Sequence, residues 1–393
     1  MKSKVRRCFS TAVIGSIVAL SSGEPARAAQ VATPFKLGTF QAGSREFLGL
    51  VLQDNRVLDI AAANAAFERR NGRRVAKIRI PADMNELIAR YEQDVGARLR
   101  QIAAVNAEPA GASYSRPLTA VRILPPMRPA VILNAGANYP EHSQGIVEQA
   151  ARAAAAAGQT PPPASGGPPE STAGPGAPGG RAPAGSAPGL WDHPQSDPRP
   201  DNPYLFLKSP SVVVGADDDV VVPQGREEID WECEFAVVVG RPARNVPVAE
   251  AASYIFGYSI EFDVSDRGGR NDRKMGGGPD WFIQKNHDTF APIGPFIVPK
   301  EFVPNPMNTR HYFTLNGQIE QDANTGRMEY NIWEMLSYAT NVLTLHPGDL
   351  ISMGTPPGTN IEKNNPRWMR PGDVGVCAVE GIGEQHHNIV AQK

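Results

Sequence analysis

The strongest constraint on what this chain can fold into is the run from Arg226 to Arg267, REEIDWECEFAVVVGRPARNVPVAEAASYIFGYSIEFDVSDR, because it sets acids inside segments that are otherwise apolar. Between Asp230 and Gly240, Trp231, Cys233, Phe235 and Val237 alternate with Glu232, Glu234 and Ala236 before Val238-Val239, which is the period of a β-strand. Period two puts Glu232 and Glu234 on one face, with Cα atoms about 6.6 Å apart at roughly 3.3 Å of rise per residue. Like charges that close raise each other's pKa and cost stability unless a cation lies between them. Taken alone, such a pair reads more readily as the solvated face of an edge strand. A third acid changes the balance: the apolar segment Tyr254 to Phe262 ends in Asp263-Val264-Ser265-Asp266-Arg267, with Asp263 where a strand gives way to a loop. Three carboxylates suit a hard, oxygen-preferring ion, Mg²⁺, Ca²⁺ or Mn²⁺.

Seven stretches taken in order, two of them within this run, resemble the fumarylacetoacetate hydrolase family from about Val131 to Val390. LNAGANYPEHSQG (Leu133 to Gly145) is similar to G-x-N-Y-x-x-H, PYLFLKSP (Pro203 to Pro210) to P-x-L-F-x-K-x-P, and DWECE to the E-x-E strand. GYSIEFDVSDR (Gly257 to Arg267) resembles G-Y-x-x-x-x-D-V-S-x-R, and QKNHDTFAPIGP (Gln284 to Pro295) resembles K-x-x-D-T-F-x-P-x-G-P. LNGQIEQDANTGRM (Leu315 to Met328) and HPGDLISMGTPPG (His346 to Gly358) match N-G-x-x-x-Q-x-x-N-T-x-x-M and P-G-D-x-I-x-x-G-T-P-x-G. One motif alone is weak; together and in register they are specific. The resemblance implies a metal-dependent enzyme acting on acylpyruvates, β-diketo acids and related 2-oxo acids by C–C hydrolysis, decarboxylation or isomerisation. It implies that Glu232, Glu234 and Asp263 bind the metal, that Arg267 and Lys285 hold the substrate's carboxylate and oxo groups, that Tyr139 and Thr355 line the same pocket, and that His142 is the general base. The expected fold is α+β, mainly mixed β, with an FAH-like catalytic domain over 129–393 and a small N-terminal domain over 34–128. The expected partners are a small 2-oxo acid and a second copy of the chain as a homodimer.

Residues 1 to 28 read as an export signal. Lys2, Lys4, Arg6 and Arg7 form a basic start, the apolar run Ala12 to Leu20 is too short to span a bilayer, and Ala26-Arg27-Ala28 is a small-x-small cleavage site. Arg6-Arg7-Cys8-Phe9 resembles the core of a twin-arginine signal, so a periplasmic or secreted location is expected, with no membrane attachment once the signal is removed. A net charge of −2 offers no electrostatic case for nucleic acid. With Cys8 gone, Cys233 and Cys377 remain; they could pair in an oxidising compartment, but their apolar settings favour buried free thiols.

In the N-terminal part, Phe35 to Phe40 and Phe47 to Leu52 read as strands joined at Gly43-Ser44, with a further turn at Asp54-Asn55 and one or two helices over Met84 to Ala104. The Ala, Gly, Pro and Ser-rich run at about 150–200 offers little apolar area to offset chain entropy and reads as a disordered insertion, with at most a short alanine helix at its start. An inert linker is favoured there over a substrate-selective lid. Pro203 to Val390 is rich in short apolar strands, with Ile332 to Thr340 as its best helix.

Two departures from the family pattern bear on the reaction. Where an acid commonly follows the motif histidine by three residues, this chain has Gly145, with Glu141 and Glu148 nearby. Loss of that partner weakens the case for water activation and makes decarboxylation or tautomerisation of a 2-oxo dicarboxylic acid a stronger alternative to C–C hydrolysis. A non-catalytic exported binding protein for 2-oxo acids is the competing class. After Arg267 the chain reads Gly268-Gly269-Arg270, and Arg270 is either a second carboxylate-binding guanidinium or a solvated loop residue. His287 is expected at the pocket edge, His311, His346, His386 and His387 as structural, and His193 in the insertion. Asp217 to Asp219 and Glu227-Glu228 read as turns.

Overall fold

A central six-stranded sheet carries the acids. In the computed structural model, which describes residues 34–108, 111–156, 158, 202–271 and 280–393, its order is Val298–Pro299, Ile255–Phe262, Cys233–Val239, Leu350–Ser352, Ile132–Gly136 and Tyr204–Lys208. Neighbours are antiparallel except Leu350–Ser352 against Ile132–Gly136. The segment 1–28, read above as an export signal, and the insertion beyond residue 158, His193 included, lie outside the described residues. The insertion's first residues continue the helix Pro140–Ala156.

The alternation read in Cys233–Val239 decides what covers each face. Cys233, Phe235, Val237 and Val239 point into a core shared with Phe313 and Cys377 of a second sheet, ordered Gln318–Asn324, Arg310–Leu315, Val374–Val379, Gly383–Ala391 and Val220–Val222. Ala236 and Val238 point the other way, into a core shared with Leu37, Leu50, Leu87 and Leu99 of the N-terminal part. That part holds the expected strands as Lys36–Ala42 and Arg45–Leu52, joined by a two-residue turn in the register Ala42↔Arg45. The helical stretch is Met84–Arg90 and Gly96–Val105, separated by a π-helical turn, Tyr91–Val95. The strand Arg56–Asp59 and the helix Ile60–Asn71, capped by the Asp59 carboxylate, were not read from the sequence. The other expected helix forms as Ile332–Val342, with a capping box between Asn331 and Glu334.

Two sequence expectations are corrected. The metal strand does not run unbroken from Asp230. A short strand, Ile229–Asp230, pairs with Ser265–Asp266, and Cys233–Val239 pairs with Ile255–Phe262. Glu232 therefore sits in the break between two pairings, not on one continuous face with Glu234. The two cysteines are not free thiols: Cys233 and Cys377 form a disulfide across the space between the two sheets, with Cα atoms 5.4 Å apart. Facing strands brought both side chains into one core, which sequence spacing could not show.

Candidate active site

One face of the central sheet changes character along its length. Across the strands, register aligns Val238 with Leu350 and Ile132, an apolar row under the N-terminal part. The next row is Ser259, Ala236, Ser352 and Asn134, and beyond it Glu234 stands opposite Glu261. Asp263 is the first residue after its strand ends at Phe262. Glu232, Glu234 and Asp263 are fully or almost fully buried and bring one oxygen each within 4.8 Å of one another. Oxygens opposite each other on one ion stand about 4.2 Å apart for Mg²⁺ and about 5 Å for Ca²⁺. An all-carboxylate donor set at this spacing fits a hard divalent ion, as the sequence predicted.

Cations surround one side of this cage. Lys285, the last residue of the short helix Trp281–Lys285, donates to Glu232 Oε2 and Asp263 Oδ2 at 2.6 Å each. Arg267 donates through Nε to Asp230 Oδ2 at 2.9 Å and through its other end to Glu232 Oε1. Lys208, in the P-x-L-F-x-K motif, donates to Asp263 Oδ1 and to the Val264 carbonyl. Burial alone would raise the Glu232 carboxyl, but the Arg267 and Lys285 charges outweigh it and hold the group well below the usual range. At Asp263 burial outweighs Lys208 and Lys285, leaving it raised. The other side has no such compensation. Among the described residues Glu234 accepts from the Ser352 hydroxyl at 2.6 Å and the Gly354 N–H at 2.9 Å, both neutral donors, and burial with the neighbouring carboxylates pushes it well above its usual value. Gly354 takes φ +89°, a conformation in which a side chain is strained, and this turns its N–H toward the carboxylate.

His142, in the first turn of the helix Pro140–Ala156, is buried. The expectation that it lacks an acid partner is wrong. Its Nδ1 is hydrogen-bonded to Glu362 Oε1, an acid 220 residues further along the chain. Glu362 also accepts from the Thr359 hydroxyl at 2.7 Å and the Gly358 N–H at 3.0 Å. Burial raises the Glu362 carboxyl, yet His142 and these donors bring it below its usual range. A Cβ on Gly145 would stand 2.8 Å from Glu362 Cγ, so Gly145 is small because the acid from elsewhere occupies that space. With Nδ1–H donating to a carboxylate, Nε2 is the nitrogen left to take a proton.

The other expected residues fall as follows. Thr355 Oγ1 accepts from Gln321 Nε2 at 2.7 Å, and Gln321 Oε1 in turn accepts from the Cys233 N–H at 3.1 Å. The Tyr139 hydroxyl, expected in the pocket, is turned into the core. It is fully buried and bonded to His311 Nε2 at 2.7 Å, and His311 Nδ1 lies 3.1 Å from the Cys233 carbonyl, so both brace the metal strand from behind. His287 stands at the edge, 3.1 Å from Asp266 Oδ2. The Arg270 side chain lies outside the described residues. Reasoning from sequence missed Asp230, Lys208, Glu261, Gln321 and Glu362. Lys208 and Gln321 were visible as fixed letters of two motifs; nothing local marked the rest.

The chain matches the family described as Fumarylacetoacetate (FAA) hydrolase C-terminal over residues 184–390, a little over half its length. It is 35% identical over 190 residues to a mitochondrial oxaloacetate tautomerase of Bos taurus, covering 48% of this chain and 59% of that one. It is 38% identical over 193 residues to an uncharacterized protein of Pyrococcus abyssi, covering 49% of this chain and 82% of the other. It thus spans under two thirds of the mitochondrial relative. The solved structure of a fumarylacetoacetate hydrolase from Exiguobacterium antarcticum superposes with a TM-score of 0.62 at 23% identity, over 91% of this chain and all of the other, a likeness of fold. The motifs, the α+β fold and the sequence match lead to one conclusion: this chain belongs to the fumarylacetoacetate hydrolase family.

Proposed function

We propose that this protein hydrolyses a C–C bond in an acylpyruvate or related 2-oxo acid, with a divalent ion held by Glu232, Glu234 and Asp263. The observation that carries the reading is the His142–Glu362 pair beside the carboxylate cage. A divalent ion there supplies positive charge for the oxygen of an enolate. Glu362 fixes the His142 ring and tautomer, and Nε2 takes a proton from water as its oxygen attacks the acyl carbon. The bond from that carbon to C3 breaks with its electron pair going to C3, and the resulting pyruvate enolate regains a proton at C3. The products are a carboxylate and pyruvate. Lys285 spends two donors on the cage and keeps a third N–H for the developing oxyanion.

Oxaloacetate tautomerisation is the second reading. It is favoured by the names of the mitochondrial relatives, and the same Nε2 would then move a proton between C3 and the enol oxygen. The purified protein with Mg²⁺ is assayed against an acylpyruvate panel and against enol-oxaloacetate. Pyruvate release, lost in Glu232→Gln and cut about 10²–10⁴-fold in His142→Ala, supports hydrolysis. Enol decay without pyruvate release replaces it with tautomerisation, and inertness toward both overturns the enzymatic reading. We propose also that the protein is exported. The basic, apolar and small-residue pattern of residues 1–28 supports this, as does the Cys233–Cys377 disulfide, since such bonds persist in oxidising compartments.

A further inference from the structure

We propose that Glu261 is a fourth acid of the cation site, a residue that sets the charge of the cage and so its affinity for a divalent ion. The inference rests on the metal reading above. Glu261 stands directly across from Glu234 in the strand register, so both carboxylates share one face. It is fully buried, and its Oε2 accepts from Asn134 Nδ2 at 2.7 Å. Its Oε1 has no partner among the described residues, and neither has the Oδ1 of the equally buried Asn134. Two adjacent orphan acceptors, shut away from solvent, call for a positive charge or a donor beside them.

The charge balance says which. Asp230, Glu232, Glu234, Glu261 and Asp263 face Lys208, Arg267 and Lys285, all of them buried. The three cations bond to Asp230, Glu232 and Asp263. Glu234 and Glu261 form no ion pair among the described residues and receive only neutral donors. Like charges directly opposite across two strands destabilise a sheet. The excess of two negative charges equals the charge of one divalent ion, and it is concentrated at this pair. Without Glu261 the excess would be one, too little to balance such an ion. Glu261 therefore acts toward the ion as the charge behind Glu234, beside the three carboxylates that would hold it.

The test is calorimetric titration of Mg²⁺ and Mn²⁺ into metal-stripped wild type, Glu261→Gln and Glu232→Gln, with Tm measured with and without metal. Glu261→Gln keeps the acceptor for Asn134, and Glu261→Ala serves as a second variant should it misfold. The expected result is at least about tenfold weaker Mg²⁺ binding in Glu261→Gln, as a lost ligand charge lowers affinity, together with a higher metal-free Tm. That opposed pair of changes is one that a merely structural residue would not give. Binding within about twofold of wild type, while Glu232→Gln abolishes it, overturns the role of Glu261 and leaves the cage standing. If the wild type binds neither ion, the cage itself fails.

Discussion

The two sides of the carboxylate cage hold the same functional group under opposite conditions. Glu232 and Asp263 lean on Lys285, Arg267 and Lys208 and are satisfied by charge within the protein. Glu234 and Glu261 are as deeply buried but are offered a hydroxyl, a backbone N–H and an amide. The resulting electrostatics diverge: Glu232 lies well below its usual value, while burial and the Asp263 charge push Glu261 up to about 7. The protein thus builds half of its site as a finished ion-pair network and leaves the other half without a charged partner among the described residues. The finished half gives rigidity, since breaking a buried pair is costly. On the metal reading proposed above, the unfinished half is what would draw the ion.

The largest effect should come from turning the finished half into the unfinished kind. Lys208→Met keeps the length and apolar stem of the side chain but strips Asp263 of one of its two lysines, both fully buried. Removing one partner of a buried pair costs about 3–5 kcal/mol. Chemical denaturation of the metal-free protein should show this loss, and saturating Mg²⁺ should recover part of it. Unchanged stability would mean that the ammonium contributes nothing net and that the two halves do not differ as described.

How much of this contrast was legible in the sequence follows from the range over which each signal acts. Glu232, Glu234 and Asp263 could be grouped because a strand's period and its end are local, and Lys285 and Arg267 because they stand at fixed places in motifs. Glu261 was hidden in the apolar-looking run Tyr258-Ser259-Ile260-Glu261-Phe262, where its meaning depends on register with Glu234. Asp230 was passed over as the start of a strand, yet it accepts from Arg267 and from the Asn360 and Ile361 N–H groups. Glu362 lies outside every motif, and only the folded loop after Gly358 brings it to His142. The disulfide failed for the same reason, since inter-sheet pairing leaves no trace in spacing. Tyr139 misled in the opposite direction: its motif position suggested the pocket, and the fold turned its hydroxyl inward to His311.

The opposite face of the same strand offers a control in which charge is excluded altogether. Burial pushes His311, behind Cys233, and His387, stacked on Phe262, down to about 4 each. The unfolded chain protonates these rings near 6.5 while the folded one resists until about 4, so their contribution is whole above pH 6.5 and declines as pH falls through that window. At pH 4 the loss should approach about 3 kcal/mol for each ring, at 1.36 kcal/mol per unit. The raised Glu234 and Glu261 carboxyls take up protons in the fold over the same window and oppose the histidines, so the readout is the difference between variants: metal-free stability measured from pH 7 to 4 should fall more steeply, by about one proton, in the wild type than in His311→Asn. A slope unchanged in that variant would place the acid sensitivity in the carboxylate cage instead.

The smallest effect separates the proton-handling pair from the cage. In the helix Pro140–Ala156, Ala for Gly145 should help by about 0.5–1 kcal/mol on propensity alone. Its Cβ would meet Glu362 Cγ at 2.8 Å and Oε2 at 3.1 Å, however, and the carboxylate can yield only by loosening its bonds to His142, Thr359 and Gly358. Gly145→Ala should therefore keep Tm or lower it slightly, as the weakened bonds to Glu362 offset the helix gain, and leave Mg²⁺ affinity unchanged. It should lower kcat about tenfold with little change in KM, the cost of a misplaced general base. A variant equally active would show that His142 needs no help from Glu362; one that loses Mg²⁺ affinity would show that the pair and the cage are a single unit.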